Sequence, residues 1–290
     1  MNSIEKNEIY KQTLLILLKK VLSFFEANGF NYWAADGTCL GAVRHHNIIP
    51  WDDDVDLLMI SSDYFRLMDY EAQLKKIGLS IVSAYNAPMA MTYLKIVDTN
   101  STVWEQPTYP LTGIWIDIFP MFYVDDLNEI EATNKKYRYL YNYLYKSSQN
   151  YPIKNLIAPL FKLDFIGLYK RFANTFYYKK KREQYKDAFL NFQRTLDKNR
   201  GRYLVSYFGI ATDIFESSWF HGFSLVSFDT MQIRIPVDYH EYLKYRYNDY
   251  MQLPPENQRL PHSKLYVNTR KALSMKEVRE RLKEGVDFEY

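Results

Sequence analysis

The sequence lacks the features that mark disulfide-stabilised, membrane-spanning and secreted proteins. A single cysteine, Cys39, excludes an intrachain disulfide and is compatible with a reducing cytoplasm. No apolar run is long enough to cross a bilayer, and the first residues lack the basic and apolar regions of a secretory signal. These absences predict a soluble, cytoplasmic protein, and they leave attachment to the inner face of the cell membrane open.

The sequence also has little excess of positive over negative charge. The formal net charge of +3 over 290 residues is too small to indicate nucleic acid as a partner. The hydrophobic fraction of 47%, in contrast, supplies enough apolar side chains for a sizeable core, which argues against a disordered chain. Tyrosine is unusually frequent, with 27 residues that fall mostly after residue 120.

Strand and helix patterns alternate over residues 1–126. Apolar residues at helical spacing predict helices over 4–27 and 61–77. Short apolar runs predict strands over 30–35, 54–60, 78–83, 91–98 and 113–119. This alternation predicts a mixed α/β sheet flanked by helices as the core of the protein.

Two boundaries in this core are predicted from single residues. Pro120 lacks a backbone N–H and is expected to end the strand over 113–119. Gly37 or Thr38 is expected to cap a short helix that follows the first strand.

The pattern changes after residue 126. Residues 127–200 show helical spacing, many tyrosines and lysines and no strand pattern, so they are expected to form a helical insertion. Residues 201–290 return to short strands and further helices. The stretch 156–172 mixes apolar and basic residues. We expect it to be buried within the insertion, with contact to an acceptor or a membrane surface as the alternative.

Four aspartates fall within five positions of the chain: Asp52, Asp53, Asp54 and Asp56. Such clustered negative charge destabilises a folded protein unless a cation compensates it. In the strand predicted over 54–60, alternation places Asp54 and Asp56 on one face, about 7 Å apart, where their oxygens could bind Mg²⁺ or Mn²⁺. A solvated acidic loop is the alternative. Asp52 is the candidate general base, although nothing local distinguishes it from Asp53.

Asp117 is the one acidic residue in an otherwise apolar predicted strand. A buried carboxylate needs a charge partner, a metal or several hydrogen-bond donors. A third metal ligand from a neighbouring strand meets that need, and an aspartate held by a core arginine or backbone amides is the alternative. Divalent ions at these carboxylates would clamp phosphates and activate an acceptor hydroxyl, so the pattern predicts phosphoryl or nucleotidyl transfer.

The candidate phosphate site lies just before the acidic run. Gly37 and Thr38 begin a helix whose amides can bind a phosphate. A Gly-Thr pair alone is a weak indication of a phosphate site, and it becomes informative here because the carboxylates follow it. Arg44, near the end of that helix, could bind a phosphate with two hydrogen bonds or could be an ordinary surface residue. Lys95 is an isolated cation in an apolar strand. It could neutralise an anionic ligand or an aspartate, or extend its ammonium group to solvent.

Taken together, these motifs resemble a known family. The run DGTCLGAVRHHNIIPWDDDVDL, residues 36–57, closely resembles the signature of the LicD family, which includes fukutin and fukutin-related protein. Residues 95–120 are similar to the family's second block, and the run YNDYMQLPP at 247–255 is similar to its C-terminal block. Cys39 stands where leucine is commoner, and residues 127–235 match no part of the family pattern.

The resemblance implies a nucleotidyltransferase-type fold, with Asp54 and Asp56 as the metal-binding pair and Asp117 as the third carboxylate. It also implies that residues 201–290 complete the catalytic cleft. The implied activity is metal-dependent transfer of a substituted phosphate, phosphocholine or else ribitol or glycerol phosphate, from a CDP-linked donor. The implied acceptor is a hydroxyl of a cell-surface glycan or its lipid-linked precursor, such as a teichoic acid, a capsule or a lipopolysaccharide.

Two other classes of function remain as alternatives. One is a nucleotidyltransferase that adds NMP to RNA, protein or a small molecule. The other is a non-catalytic glycan-binding or scaffold protein, which would be expected to lose one of Asp54, Asp56 and Asp117, and all three are present. The aromatic fraction of 17% supplies side chains for a choline cage, but core packing accounts for most of them. Composition therefore does not choose between choline and a polyol.

Overall fold

The computed structural model describes residues 3–149, 156–208, 211–259 and 264–290. The helices are α1 Ser3–Ala27, α2 Asp36–Arg44, α3 Ser61–Met68, α4 Glu71–Lys76, α5 Leu127–Ser148, α6 Phe165–Phe172, α7 Arg182–Thr195, α8 Tyr239–Tyr247 and α9 Met275–Lys283. Short 3₁₀ turns lie at Ala158–Lys162, Ser217–Phe220 and Glu256–Gln258, and a π-helical turn at Ala173–Tyr178.

The strands are β1 Trp33–Ala34, β2 Asp56–Ile60, β3 Leu79–Ser83, β4 Leu94–Asp98, β5 Thr102–Trp104, β6 Trp115–Val124, β7 Tyr203–Tyr207, β8 Thr212–Glu216, β9 Phe223–Phe228, β10 Met231–Pro236, β11 Tyr266–Asn268 and β12 Phe288–Glu289. The largest sheet has seven strands in the order β1-β2-β6-β4-β3, with β7 and β8 added beside β6. Within it β2 is parallel to β6, and the other pairs are antiparallel. The predicted mixed α/β fold is confirmed.

The central strand β6 does not end at Pro120, so that predicted boundary was wrong. β4 pairs with β6 as far as Ile118, and β7 begins its pairing at Phe122. Pro120 therefore lies where β6 passes from one antiparallel partner to the next. Because no ladder bond is needed there, the missing N–H of proline does not interrupt the strand.

The helix over 61–77 is divided into α3 and α4. The break lies at Tyr70, whose ring packs edge-on against Phe30 with 5.1 Å between the ring centroids, and against Phe24 at 6.0 Å. Since this ring belongs to the core around α1, the chain leaves helical geometry to place it. Periodicity alone does not reveal such a break.

The predicted cap of α2 was also wrong. The helix begins at Asp36, which has a positive φ of 43°, and the N-cap residue Ala35 makes no side-chain capping bond. Gly37 and Thr38 therefore lie inside the first turn. Aspartate is one of the few residues with a side chain that adopts a left-handed conformation readily.

The helical insertion is confirmed in outline, but its middle is not buried. α5 packs against α7 and buries Tyr137 and Leu144. α6 buries no residue, and it packs mainly on the two helical turns that flank it. Phe161 and Tyr169 are 84% and 74% exposed. The expectation that the stretch 156–172 is buried was therefore wrong, because no larger element among the described residues covers it.

Candidate active site

Three charged side chains meet in register on neighbouring strands of the main sheet. Asp56 on β2 is paired with Asp117 on β6, and Asp117 is paired with Lys95 on β4. The side chains of directly paired residues project from the same face of a sheet. The fold therefore brings together two of the predicted carboxylates and the isolated lysine.

Asp117 is buried and has two partners on its own sheet face. The indole Nε1 of Trp115 donates to Oδ2 at 3.0 Å, and the Lys95 ammonium lies 3.3 Å from Oδ1. That ammonium is also 3.7 Å from the centroid of the Trp115 ring. Lys95 is only 4% exposed and cannot extend to solvent. Of the three roles left open for it, neutralisation of an aspartate is the one that the geometry shows.

The carboxyl group of Asp56 has no ion-pair partner among the described residues. Burial, and then the charges of Asp54 and Asp117, raise the pKa of Asp56 well above its ordinary value. Burial also raises the pKa of Asp117, against the opposing effects of Lys95 and Trp115. Within the described ranges Asp117 Oδ1 accepts no hydrogen bond, because its contact with Lys95 is ionic and lacks hydrogen-bond geometry. The pair therefore favours a further cation.

The donor chemistry fits a hard divalent cation, but the three predicted ligands do not form a preassembled cluster. In the part of the chain that is described, no group of three or more His, Cys, Asp or Glu residues is placed to hold a metal. β2 begins only at Asp56, so Asp54 lies in the preceding loop and not on the strand as expected. Its charge still raises the pKa of both other carboxylates. The oxygens of Asp56 and Asp117 are the type that Mg²⁺ and Mn²⁺ prefer.

The adjacent residues Asp52 and Asp53 have different environments. Asp53 is 5% exposed and forms a buried ion pair with Lys264. Asp52 lines a cavity together with Gly37, and its Oδ1 accepts a hydrogen bond from the Asp53 amide at 3.1 Å. Only one of the two carboxylates thus faces a space where a substrate could bind. No local sequence pattern indicates this difference, because Lys264 lies 211 positions away from Asp53.

The Gly-Thr turn is built into the carboxylate site. A Cβ atom at Gly37 would lie 2.5 Å from Asp52 Oδ2, which is closer than a side chain tolerates. The buried Thr38 hydroxyl accepts a hydrogen bond from the Asp56 amide at 2.8 Å, so it fixes the start of β2 against α2. Its own O–H remains able to donate elsewhere.

A cavity of about 530 Å³ lies between the start of α2 and the C-terminal block. Gly37, Arg44, Trp51 and Asp52 line it on one side, and residues 247–258 supply most of the other. Arg44 Nη1 donates to the carbonyl oxygens of Tyr250 and Gln252, at 2.7 and 3.3 Å. Arg44 therefore holds the C-terminal block in place and also lines the cavity.

Sequence reasoning missed an arginine that joins α8 to α2. Arg246 forms ion pairs with Asp36 at 2.5 Å and with Asp213 at 2.7 Å. Tyr242 donates from its hydroxyl to Asp36 Oδ1 at 3.1 Å and accepts from the Asp36 amide at 3.0 Å. These bonds hold Asp36 in its left-handed conformation. In the sequence, the one indication of these bonds is the acidic residue Asp36 directly before Gly37.

A second cavity, of about 380 Å³, lies beside Lys95 on the far side of the carboxylates. The sheet order places β6 between β2 and β4, so Asp117 lies between Asp56 and Lys95. Burial is the main cause of the raised pKa of Tyr247 in the first cavity and of Tyr93 in the second, and the negative charge of Asp56 raises both pKa values further. The carboxylates therefore lie between two cavities.

Comparison with known proteins shows the family to which the chain is related. The profile of the LicD/FKTN/FKRP nucleotidyltransferase domain matches residues 29–172, which include the acidic run, Lys95 and Asp117. The prediction that residues 127–235 match no part of the family was therefore wrong for residues 127–172. Lipopolysaccharide cholinephosphotransferase LicD of Haemophilus influenzae is 25% identical over 294 residues, covering 89% of this chain and 97% of that protein. Ribitol 5-phosphate transferase FKRP of Homo sapiens is 57% identical over 37 residues, 13% of this chain and 8% of that protein. The chain belongs to the LicD family and is a transferase of substituted phosphate groups.

Proposed function

We propose that this enzyme transfers phosphocholine, or else ribitol or glycerol phosphate, from a CDP-linked donor to a hydroxyl of a cell-surface glycan or its lipid-linked precursor. The observation that carries the proposal is the in-register pairing of Asp56 with Asp117 between two cavities. The names of two relatives, a cholinephosphotransferase and a ribitol 5-phosphate transferase, support a phosphate that carries a small alcohol.

Asp54, Asp56 and Asp117 would hold Mg²⁺ or Mn²⁺. A bound divalent ion would neutralise the donor phosphates and stabilise the leaving CMP. The uncompensated charge of Asp56 and the spare acceptor capacity of Asp117 Oδ1 support this assignment. Lys95 keeps Asp117 oriented through its ion pair. Asp54 would complete the site from its loop, since its position is not fixed by a strand.

The first cavity would bind the nucleotide part of the donor. The backbone amides at the start of α2, near Gly37 and Thr38, and the guanidinium of Arg44 would bind its phosphates. Residues 247–258, from the C-terminal part of the chain, close the cavity and support the proposal that residues 201–290 complete the catalytic cleft. Residues 1–126 would form the catalytic core, with residues 127–200 as the insertion.

Asp52 would act as the general base that removes the proton of the acceptor hydroxyl. Its carboxylate lines the first cavity, whereas Asp53 is buried in its pair with Lys264. A general base must lie within hydrogen-bond reach of the proton it removes, and of this pair it is Asp52 that lines the cavity where an acceptor hydroxyl could approach.

The exposed segment 158–181 would rest on an anionic membrane surface, close to a lipid-linked acceptor. Phe161, Ile166 and Tyr169 are at least 70% exposed, and the exposed Lys162 and Lys170 lie among them. Apolar and basic side chains in one segment are the composition of helices that lie in a membrane interface. None of the described helices is long and apolar enough to span a membrane. We propose the inner face of the cell membrane as the location.

A panel of donors tests the proposed function. CDP-choline, CDP-ribitol and CDP-glycerol are each added with Mg²⁺ or Mn²⁺, and the melting temperature is measured. A donor at about 100 times its Kd should stabilise the fold by roughly 2.7 kcal/mol. One CDP-linked donor should stabilise the protein more than UTP or ATP. A preference for UTP or ATP would instead favour the nucleotidyltransferase that adds NMP, and no effect of any nucleotide would favour a non-catalytic protein.

A further inference from the structure

We propose that the second cavity binds the quaternary ammonium group of a choline-type donor; this inference rests on the proposed function and names the part of the site that selects the cargo. The cavity of about 380 Å³ lies between β4, the loop after β5 and α5. Aromatic and thioether side chains make up most of its lining: Met89, Met91, Tyr93, Tyr109, Tyr141 and Phe208.

Two of the aromatic rings of the cavity are held by packing beneath them. Phe119 on β6 packs against Tyr93 with 4.5 Å between ring centroids, and against Phe208 with 5.2 Å. This contact links the wall from β4 to the wall that follows β7. A quaternary ammonium group offers no hydrogen-bond donor and binds to aromatic faces and to carboxylates.

The charges of the cavity also favour a cation. Glu105 lines it, is partly buried and has no hydrogen bond or ion pair with the described residues. Lys95 lines it as well, but the charge of this lysine is compensated by Asp117. Tyr93 lies among the same carboxylates, since its pKa is raised by burial and then by the charges of Asp117, Asp56 and Glu105. An incoming cation would therefore meet the carboxylate of Glu105, which no cation among the described residues compensates.

The position of the cavity suits the two ends of one donor molecule. The first cavity lies beside Asp52 and Gly37, and the second beside Lys95, so the pair of Asp56 and Asp117 lies between them. A CDP-linked donor has its diphosphate between a nucleoside and the transferred alcohol. With the diphosphate at the carboxylates, the nucleoside would occupy one cavity and the alcohol the other.

Glu105→Gln and Phe208→Leu test this assignment, because the first removes a charge without a change of size and the second removes a ring face while keeping an apolar side chain. Glu280→Gln, at an exposed position on α9, is the matched control. Titration calorimetry in Mg²⁺ measures the binding of CDP-choline, of its neutral analogue with carbon in place of nitrogen, and of CMP. No acceptor is required. Each test variant should weaken CDP-choline on the order of tenfold and leave the neutral analogue and CMP unchanged. The control should bind all three like the wild type.

An equal loss of affinity for CDP-choline and its neutral analogue would overturn the proposal, as would unchanged affinity in both variants. If the wild type prefers CDP-ribitol or CDP-glycerol to CDP-choline, the ammonium site is refuted while the proposed transfer from a CDP-linked donor stands. If UTP or ATP binds in preference to every CDP-linked donor, the proposed function fails as well.

Discussion

The substitution Asp56→Asn tests the central assignment most directly. It preserves the size of the side chain and its place opposite Asp117, but it removes the negative charge that would bind a divalent ion. The backbone bond from the Asp56 amide to the Thr38 hydroxyl does not depend on the carboxylate and should persist. The variant should therefore fold normally and lose transfer.

The expected loss of turnover is large. A metal-held phosphate gains several kcal/mol of charge stabilisation in the transition state, and about 4 kcal/mol corresponds to roughly a 10³-fold change in rate. Removing one of the two paired carboxylates should reduce kcat by at least that order. A carboxylate that only shapes the cleft would change kcat far less, because Asn retains its volume.

The stability of the metal-free protein should respond in the opposite direction. Two unit charges about 5 Å apart, the spacing of neighbouring strands, repel by roughly 3 kcal/mol at an effective dielectric constant of about 20. The pKa of Asp56 is raised in the folded protein, so the folded state binds more protons than the unfolded state above pH of about 4. The stability of the wild type should therefore fall as the pH rises through that region. Asp56→Asn should be at least as stable as the wild type at neutral pH, and this advantage should shrink in acid.

Two measurements decide the outcome. Transfer from the donor identified in the panel is followed with saturating Mg²⁺, and urea unfolding is measured in EDTA and again in Mg²⁺. Added Mg²⁺ should stabilise the wild type and not the variant. Glu280→Gln serves as the control for loss of an exposed carboxylate. Undiminished turnover in Asp56→Asn, or equal stabilisation of both proteins by Mg²⁺, would refute the metal assignment.

Three further predictions follow from neighbouring features. Lys264→Met removes the cation of a buried ion pair with Asp53 and should destabilise the fold by about 3–5 kcal/mol in urea unfolding, with kcat of the folded fraction retained. Gly37→Ala would place a Cβ atom 2.5 Å from Asp52 Oδ2, so the carboxylate must move; we expect kcat to fall on the order of 10²-fold with little change in melting temperature. Lys170→Glu should weaken sedimentation with phosphatidylglycerol vesicles on the order of tenfold at low salt, and unchanged sedimentation would contradict the membrane-surface proposal.

Much of the fold of residues 1–126 was predictable because its elements are local. The apolar stripe of α1, the buried runs of β2 and β4 and the isolated Asp117 each show in a window of a few residues. The pairing of Asp56 with Asp117 could be expected only through the resemblance to a family, since neither segment alone predicts the order of the strands in the sheet. Lys95 was recognised as unusual, but its specific partner was not identified, because neither segment alone shows that β4 pairs with β6.

The errors have a common physical cause, which is a partner far away in the sequence. Pro120 remains inside β6 because two antiparallel strands share that edge and leave a gap at the proline. The stretch 156–172 was expected to be buried because it is apolar, but apolarity cannot tell a core segment from one that faces a membrane or a partner. A local pattern shows that a segment is apolar, but whether that segment is buried depends on the other elements that pack against it.

Asp52 and Asp53 show the same limit within a single site. They are chemically identical neighbours in one loop, so the loop sequence alone does not show which of them could act as a general base. The fold separates them by supplying Lys264 to Asp53 and a glycine with no side chain to Asp52. The ion pair compensates one charge inside the protein, and the close approach of Gly37 leaves room for the other at the cavity wall. The role of each carboxylate thus depends on which distant residue reaches it, and for this reason Lys264→Met and Gly37→Ala should affect stability and turnover separately.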